Sequence, residues 1–288
     1  MPTRESTLFP PIPGAPWQMG ELSWDLRQPL VMGVLNTTPD SFSDGGDFLD
    51  PEKALARARE MVTHGAHIID LGGASSHPQA PQVSAQEELD RVGPLVERLL
   101  AEVPLPLSID TQQPMVAEAC LEMGAHLIND VSGLPTDAMA HLSARYDVPL
   151  VIMFNNLAEP RDEAVPIIEA TKAFFVDRFA RAEAAGVKKI VLDPGYGFGK
   201  SLDDNLALLR GVARLMEFER PLLVCTSRKG SLGKITGEKD PKQRVGATLA
   251  SSLLAVAQGA AMIRVHDVRE FRQALDTWLA VGTPTTPE

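Results

Sequence analysis

The choice of fold turns on Val31-Met32-Gly33-Val34-Leu35-Asn36-Thr37-Thr38-Pro39-Asp40. Val31–Asn36 is a short, nearly unbroken apolar run, as expected of a strand buried on both faces. The residues after it separate two architectures. An open doubly wound sheet carries a glycine-rich fingerprint behind its first strand, and Asn36-Thr37-Thr38-Pro39-Asp40 is not one. Further short apolar runs follow at His67–Leu71, Leu105–Asp110, Leu127–Asp130, Pro149–Met153, Lys189–Asp193, Pro221–Thr226 and Ala261–Val265. Between them lie helical patterns at Glu52–Thr63, Ala85–Leu100, Pro114–Met123, Thr136–Arg145, Ile167–Ala185, Asp203–Arg214, Pro241–Gln258 and Val268–Ala280. Alternating β and α units in a chain of 288 residues predict an α/β protein with the (β/α)8 TIM barrel fold.

The punctuation agrees with that reading. Asp50-Pro51 suits a helix N-cap and first turn. Gly65, Gly124, Gly186 and Gly259 stand where helices end before the next strand, positions that favour positive φ. Residues 1–18 are expected to be an extended leader, and residues 19–282 a single barrel domain. A short hairpin is expected within residues 19–28, before the core, and residues 283–288 form a tail.

Apolar residues make up 44% of the chain and charged ones 23%, which allows a large core in an ordinary globular domain. The formal net charge of -11 opposes binding to a phosphate backbone, so nucleic acid is not an expected partner. Cys120 and Cys225 sit in apolar contexts and are expected to be buried free thiols in a reducing compartment. The proline-rich N-terminus has no apolar signal-peptide region. No stretch is long and uncharged enough to span a bilayer. A cytoplasmic location without a membrane partner is expected.

In a barrel of this kind chemistry sits at the C-terminal ends of the strands. Those ends carry Asn36, Asp110, Asn129-Asp130, Met153-Phe154-Asn155, Asp193, Ser227-Arg228-Lys229 and Arg264-Val265-His266-Asp267. Singly, each has a plain explanation. An Asp after a strand commonly caps the next helix, Lys229 alone reads as a solvated loop cation, and His266 alone as a satisfied surface histidine. Together they form a ring of amides, carboxylates and cations. Asp and Asn can accept from the donor-rich edge of an amino-pyrimidinone, and Lys229 can donate to ring acceptors. Arg264 can stack on a flat ring and reach an anion. Asn36 and His266 can bond phosphate oxygens, and Asn36 can ligate Mg2+ through its carbonyl. There is no Walker loop, zinc-ligand spacing or Ser-His-Asp arrangement.

The stretch Val31–Gly46 resembles the first signature of the dihydropteroate synthase family. Ser108–Thr111, Ile128–Val131, Leu192–Lys200, Ser227–Lys229 and Arg264–Val268 resemble the others, in the family's order, so the resemblance spans residues 19–280. It implies condensation of a dihydropterin diphosphate with para-aminobenzoate, with Mg2+ as cofactor, in a homodimer built through late barrel helices. It implies that Asp110, Asn129, Met153, Asp193, Phe198, Lys229 and Arg264 hold the pterin. Asn36, Arg264 and His266 would bind diphosphate, with Asn36 also on the metal. Phe42, Ser76, His77, Pro78, Ser227 and Arg228 would border the aminobenzoate. Catalysis would draw on Asn36, Asp44, Lys229, Arg264 and His266, with Asp44 stabilising a pterin methyl cation once the first loop closes.

The chain departs from the family in three places. Gly72-Gly73-Ala74-Ser75-Ser76-His77-Pro78-Gln79 replaces the usual Gly-Gly-Glu-Ser-Thr-Arg-Pro-Gly, losing a fixed cation. The second loop of sulfonamide-resistant plasmid synthases is similar, and reduced sulfonamide sensitivity is expected. Met153-Phe154-Asn155 replaces Met-His-Met, which would make one wall of the pterin pocket polar. Lys229-Gly230 replaces Lys-Ser. These changes leave open a pterin-binding paralogue that is non-catalytic or takes another substrate. A methyl-transferring pterin barrel is a further alternative, though it would need neither Ser227-Arg228-Lys229 nor Arg264-Val265-His266. The small face Ala247-Ala250-Ser251-Leu254 suits either a second subunit or the chain's own barrel.

Overall fold

The computed structural model describes residues 16–19, 22–24, 26, 28–37, 51–74 and 83–282. Two short antiparallel strands, β1 (Trp17–Met19) and β2 (Leu22–Trp24), come first. The barrel strands are β3 (Leu30–Asn36), β4 (Ile68–Gly72), β5 (Leu107–Asp110), β6 (Leu127–Asp130), β7 (Leu150–Met153), β8 (Ile190–Asp193), β9 (Leu223–Val224) and β10 (Met262–Val265). All pairings among them are parallel, in the order β8-β7-β6-β5-β4-β3-β10-β9. A parallel bridge between Leu192 and Leu222 brings the two edges together and closes the barrel. The expected (β/α)8 barrel is therefore the observed fold.

Around it run α1 (Pro51–Thr63), α2 (Ala85–Glu102), α3 (Pro114–Met123), α4 (Ala138–Tyr146), α5 (Ile167–Ala184), α6 (Leu202–Arg210), α7 (Gly230–Thr236), α8 (Val245–Ala257) and α9 (Val268–Gly282). Gly65, Gly124, Gly186 and Gly259 all have positive φ at the ends of helical segments, as expected. Two details differ from the sequence reading. The hairpin begins at Trp17, inside the stretch expected as leader. α7 was not expected, and α6 stops at Arg210 before a 3-10 turn over Val212–Phe218. A Cβ on Gly211 would lie 2.5 Å from Ile168 Cδ1, so a larger residue there would have to displace the Ile168 side chain. Asp50 lies outside the described residues.

Strand alternation sorts the side chains into two populations. Val31, Leu35, Ile69, Leu71, Ile109, Ile128, Ile152, Leu192 and Ile263 face the helices in the main core. Met32, Ile68, Leu127, Val151, Val191, Leu223 and Met262 point inward and pack with Trp17, Met19, Trp24 and Leu26 of the hairpin segment. This apolar layer plugs the bottom of the barrel. Two residues further along β4, β6, β8 and β10, the inward positions hold Asp70, Asn129, Asp193 and Arg264, reached by the period of two that placed the apolar layer below them. β5 adds Asp110, two residues beyond the buried Ser108.

Candidate active site

The parallel register lines up strand ends from neighbouring units. Asn36 pairs with Gly72, Gly72 with Asp110, and Asp110 with Asn129. On the other side Met153 pairs with Asp193. Asp130, next in sequence to Asn129, faces away and caps its own loop through the amides of Ser132 and Leu134. The capping role often taken by strand-end Asp residues thus falls to Asp130, while Asp110 and Asp193 stay in the mouth.

Arg264 organises the centre. Its Nε donates to Asp70 at 2.5 Å and its Nη2 to Asp110 at 2.6 Å. Asp70 also accepts from Ser108 Oγ at 2.5 Å and from Asn129 Nδ2 at 3.1 Å. Asn129 is 2% exposed, and its Oδ1 is a buried acceptor without a hydrogen-bond partner among the described residues. A group in that position calls for a donor that the described residues do not supply. Burial works against the Arg264 charge, but Asp70 and Asp110 outweigh it and hold its pKa well above the usual value. Burial pushes the Asp110 carboxyl up, reinforced by Asp70 and opposed by Arg264.

Asp193 lies across the mouth and is buried. Its Oδ1 accepts the Gly195 N–H at 2.7 Å, and burial raises its pKa. Lys229 Nζ sits 4.0 Å from the centroid of the Phe198 ring, and burial lowers its pKa. Lys229 is therefore not a solvated loop cation. Met153, 1% exposed, is part of the wall at the end of β7.

A cavity of about 500 Å3 opens beside this cluster, lined in part by Asn36, Arg57, Ser227, Arg228, Arg264 and His266. His266 is held by Ser227, whose Oγ accepts its backbone N–H at 3.1 Å and lies 2.9 Å from its Nδ1. This leaves Nε2 for a ligand. Burial, and then the charges of Arg264, Arg228, Lys229 and Arg57, push the His266 pKa down to about 3. A neutral imidazole among four cations is suited to donating a hydrogen bond to an anion. Arg228 takes positive φ (60°), its guanidinium pairs with Asp267, and its carbonyl accepts from Arg244 Nη1 at 2.9 Å.

The structure brings Asn36, Asp110, Asn129, Met153, Asp193, Phe198, Ser227, Arg228, Lys229, Arg264 and His266 to one end of the barrel. Phe42, Asp44, Ser76, His77 and Pro78 lie outside the described residues. One expectation is corrected. Asn155 was expected to make the pocket wall polar, but its side chain is a loop staple. Its Nδ2 donates to the Val131 carbonyl at 2.8 Å, and its Oδ1 accepts from the Leu157 amide at 3.0 Å and the Ala158 amide at 3.3 Å. Both cysteines are free and buried, as expected. Cys225, however, lines the cavity 3.9 Å from Arg264 Nη1 and is not in a purely apolar setting.

Asp70 is the residue the sequence reading passed over. An acid inside the otherwise apolar run His67–Leu71 is the signal that would have found it, because a buried carboxylate requires a partner. Lys200 was also not assigned. Its Nζ donates to the carbonyls of Phe154 (2.7 Å), Gly195 (2.9 Å) and Phe198 (3.2 Å), fastening the loop that carries Phe198 to the end of β7.

The profile of the family described as pterin binding enzyme matches residues 32–266. The dihydropteroate synthase of Synechocystis sp. is 40% identical over 280 residues, covering 93% of this chain and 94% of that protein. The Escherichia coli dihydropteroate synthase is 39% identical over 259 residues, covering 88% and 92%. Among solved structures, Xanthomonas albilineans dihydropteroate synthase with 4-aminobenzoic acid aligns with a TM-score of 0.86 at 42% identity, covering 92% of this chain and 96% of that one. The Thermus thermophilus enzyme in complex with 6HMPPP aligns with a TM-score of 0.80 at 43% identity, covering 91% and 98%.

Proposed function

Because the chain belongs to the pterin-binding enzyme family, we propose that it is a dihydropteroate synthase, a transferase of folate biosynthesis. It condenses 6-hydroxymethyl-7,8-dihydropterin diphosphate with para-aminobenzoate and releases diphosphate. The observation that carries this reading is the junction of two environments at Arg264. On one side lies a buried edge of acceptors and donors, and on the other a cationic cavity. A flat heterocycle bearing a diphosphate has that two-part chemistry. A protein that only bound pterin would not need the cationic side.

In this reading Asp193 and the free Asn129 Oδ1 accept from the pterin's amino and ring N–H donors, with Asp110 beside them. Lys229 donates to its acceptors, and Met153 and Phe198 flank the ring. Arg264, clamped by two carboxylates, presents a fixed guanidinium to the ring and to the diphosphate. His266 donates from Nε2 to a diphosphate oxygen. Preorganised cations stabilise charge as it develops on the departing diphosphate, and the pterin methylene becomes electrophilic. The aminobenzoate nitrogen is neutral at pH 7 and attacks without a strong base. Ser227 and Arg228 border its approach; from the sequence, Phe42, Ser76, His77 and Pro78 are assigned to the same face, and Asp44 to stabilising the pterin methyl cation. Loss of the fixed loop-two cation at His77 supports reduced sulfonamide sensitivity.

The donor set fits Mg2+ of one kind. Among the described residues no group of three His, Cys, Asp or Glu side chains could hold a metal. Mg2+ commonly keeps its waters and binds through few protein ligands plus substrate phosphates. The Asn36 carbonyl at the cavity wall would be its protein ligand, and the ion when bound would neutralise charge on the leaving group.

No helix among the described residues is long and apolar enough to cross a membrane, and the proposed pathway is one of soluble metabolites, so the proposed location is the cytoplasm. A homodimer is proposed through α8, which turns Thr248, Ser252 and Val256 inward but leaves Leu254 47% exposed. Light scattering reports the assembly directly. The function is tested by mixing purified protein with the dihydropterin diphosphate, Mg2+ and para-aminobenzoate. Equimolar diphosphate and dihydropteroate are expected. Pterin binding with neither product would leave a binding protein instead.

A further inference from the structure

Arg57, on α1, has no place in the roles above, yet its guanidinium reaches the diphosphate side of the mouth. Its Nη2 donates to the His266 carbonyl at 2.8 Å across 209 residues of sequence. Its Nη1 pairs with Glu60 one helical turn on. It lines the same cavity as Asn36, Arg264 and His266, and also a second polar cavity of about 420 Å3. The side chain is 33% exposed, so it is neither a core ion pair nor a freely solvated one.

These contacts do two things at once. The bond to the His266 carbonyl, together with the Ser227 bond to its N–H, fixes both sides of that residue's peptide and so aims its imidazole. The guanidinium has five N–H donors in a planar fork, and two of them are engaged by His266 and Glu60. Among the described residues the rest have no hydrogen-bond acceptor and can serve an anion, in a wall that already carries Arg228 and Arg264. Glu60 tempers that charge from outside.

We propose that Arg57 is a specificity residue for the diphosphate. It supplies a fixed cation to that end of the substrate and holds His266 in position, with Glu60 limiting the strength of the attraction. This rests on the diphosphate cavity proposed above and adds a helix-borne cation to it. Glu60 makes the idea directional, because removing its charge should strengthen binding, which loss of a purely structural contact would not do.

The test is calorimetric titration of inorganic diphosphate, with Mg2+, into wild type, Arg57→Met, Arg57→Lys and Glu60→Gln. A 6-hydroxymethylpterin lacking the diphosphate serves as the second titrant. Arg57→Met should weaken diphosphate binding about tenfold, the effect of one charge-assisted contact, and leave the pterin within about twofold. Arg57→Lys should recover part of the loss. Glu60→Gln, on the exposed face of α1, should tighten diphosphate binding about two- to threefold, as removal of one nearby surface charge does. In turnover, the KM for the dihydropterin diphosphate should follow the same order while that for aminobenzoate stays put. Equal weakening of both ligands in Arg57→Met, or no response in either the Arg57→Met or the Glu60→Gln protein, overturns the assignment. Failure of wild type to bind diphosphate at all would instead remove the functional reading on which it stands.

Discussion

Asp70 has no solvent exposure, and the side chains of Arg264, Ser108 and Asn129 converge on its two oxygens. A charge in such a place is tolerated only because it is paired and fully bonded. Asp70→Ala should therefore cost on the order of 3–5 kcal/mol of stability, the usual penalty for stranding one partner of a buried pair. It should also loosen Arg264 and weaken pterin binding. Urea unfolding and pterin titration of the variant measure both, and a loss below 1 kcal/mol would show that Arg264 is satisfied without it. Asp193→Ala acts differently, since its carboxylate is proposed to meet the pterin. Pterin affinity should fall about tenfold or more, for a loss of roughly 1.5–3 kcal/mol expected of a charge-assisted bond, with the fold intact. Unchanged affinity in a folded variant would remove Asp193 from the site. Asp110, Asp193 and Arg264 were legible because they close or nearly close their strands, where a barrel concentrates polar groups. Asp70 was hidden by its place within a strand. Asn155 was misjudged because a resemblance in sequence does not say which way a side chain turns.

The loop between β8 and α6 shows how an element enforces geometry. Gly195 has φ 66°, and a Cβ there would meet the Phe154 carbonyl at 2.0 Å, so only glycine can follow Asp193-Pro194 in this path. Lys200 then ties three carbonyls into one knot, which positions Phe198 beneath Lys229. Lys200→Met should raise the KM for the dihydropterin substrate several-fold and barely move that for aminobenzoate. Steady-state kinetics separates the two, and a parallel rise in both would mean general damage. The eight barrel strands and most helices were readable because each strand is an apolar run punctuated by a glycine cap or a polar end. α7 was not, since Gly230 and Gly233 disfavour a helix locally. It forms because tertiary contacts impose it. Arg244 packs so close that a Cβ on Gly233 would sit 2.8 Å from its guanidinium, and the same side chain fastens Arg228.

At the scale of the molecule, the two ends of the barrel do separate work. Trp17, Met19 and Trp24 seal the bottom, far from the chemistry. Trp17→Ala should cost about 3–5 kcal/mol, as large-to-small changes in a packed core do, yet leave kcat/KM nearly unchanged at temperatures where the variant is folded. A melting curve and an assay on the same sample check this. Acid sensitivity is also distributed over the whole barrel. His67, whose Nδ1 accepts the Val31 N–H at 2.9 Å, has its pKa lowered to about 4 by burial and by Arg272, and His266 is near 3. Unfolded histidine titrates near about 6.5, so between those values the unfolded chain binds more protons than the folded one. The stability held above about pH 6.5 should therefore fall as pH drops toward 4. Urea midpoints across that range should show the slope, and His67→Gln should flatten part of it. Arg264 carries a last consequence, for the order of assembly during synthesis. The cation that satisfies Asp70 and Asp110 follows them by 194 and 154 residues, on the last strand to leave the ribosome. Until that strand docks, the nascent chain holds two inward-facing acids without the guanidinium that pairs with both. A late intermediate lacking β10 should thus bind no pterin however native its first units look. Recovery of pterin binding in a refolding experiment would then serve as a clock for closure of the barrel.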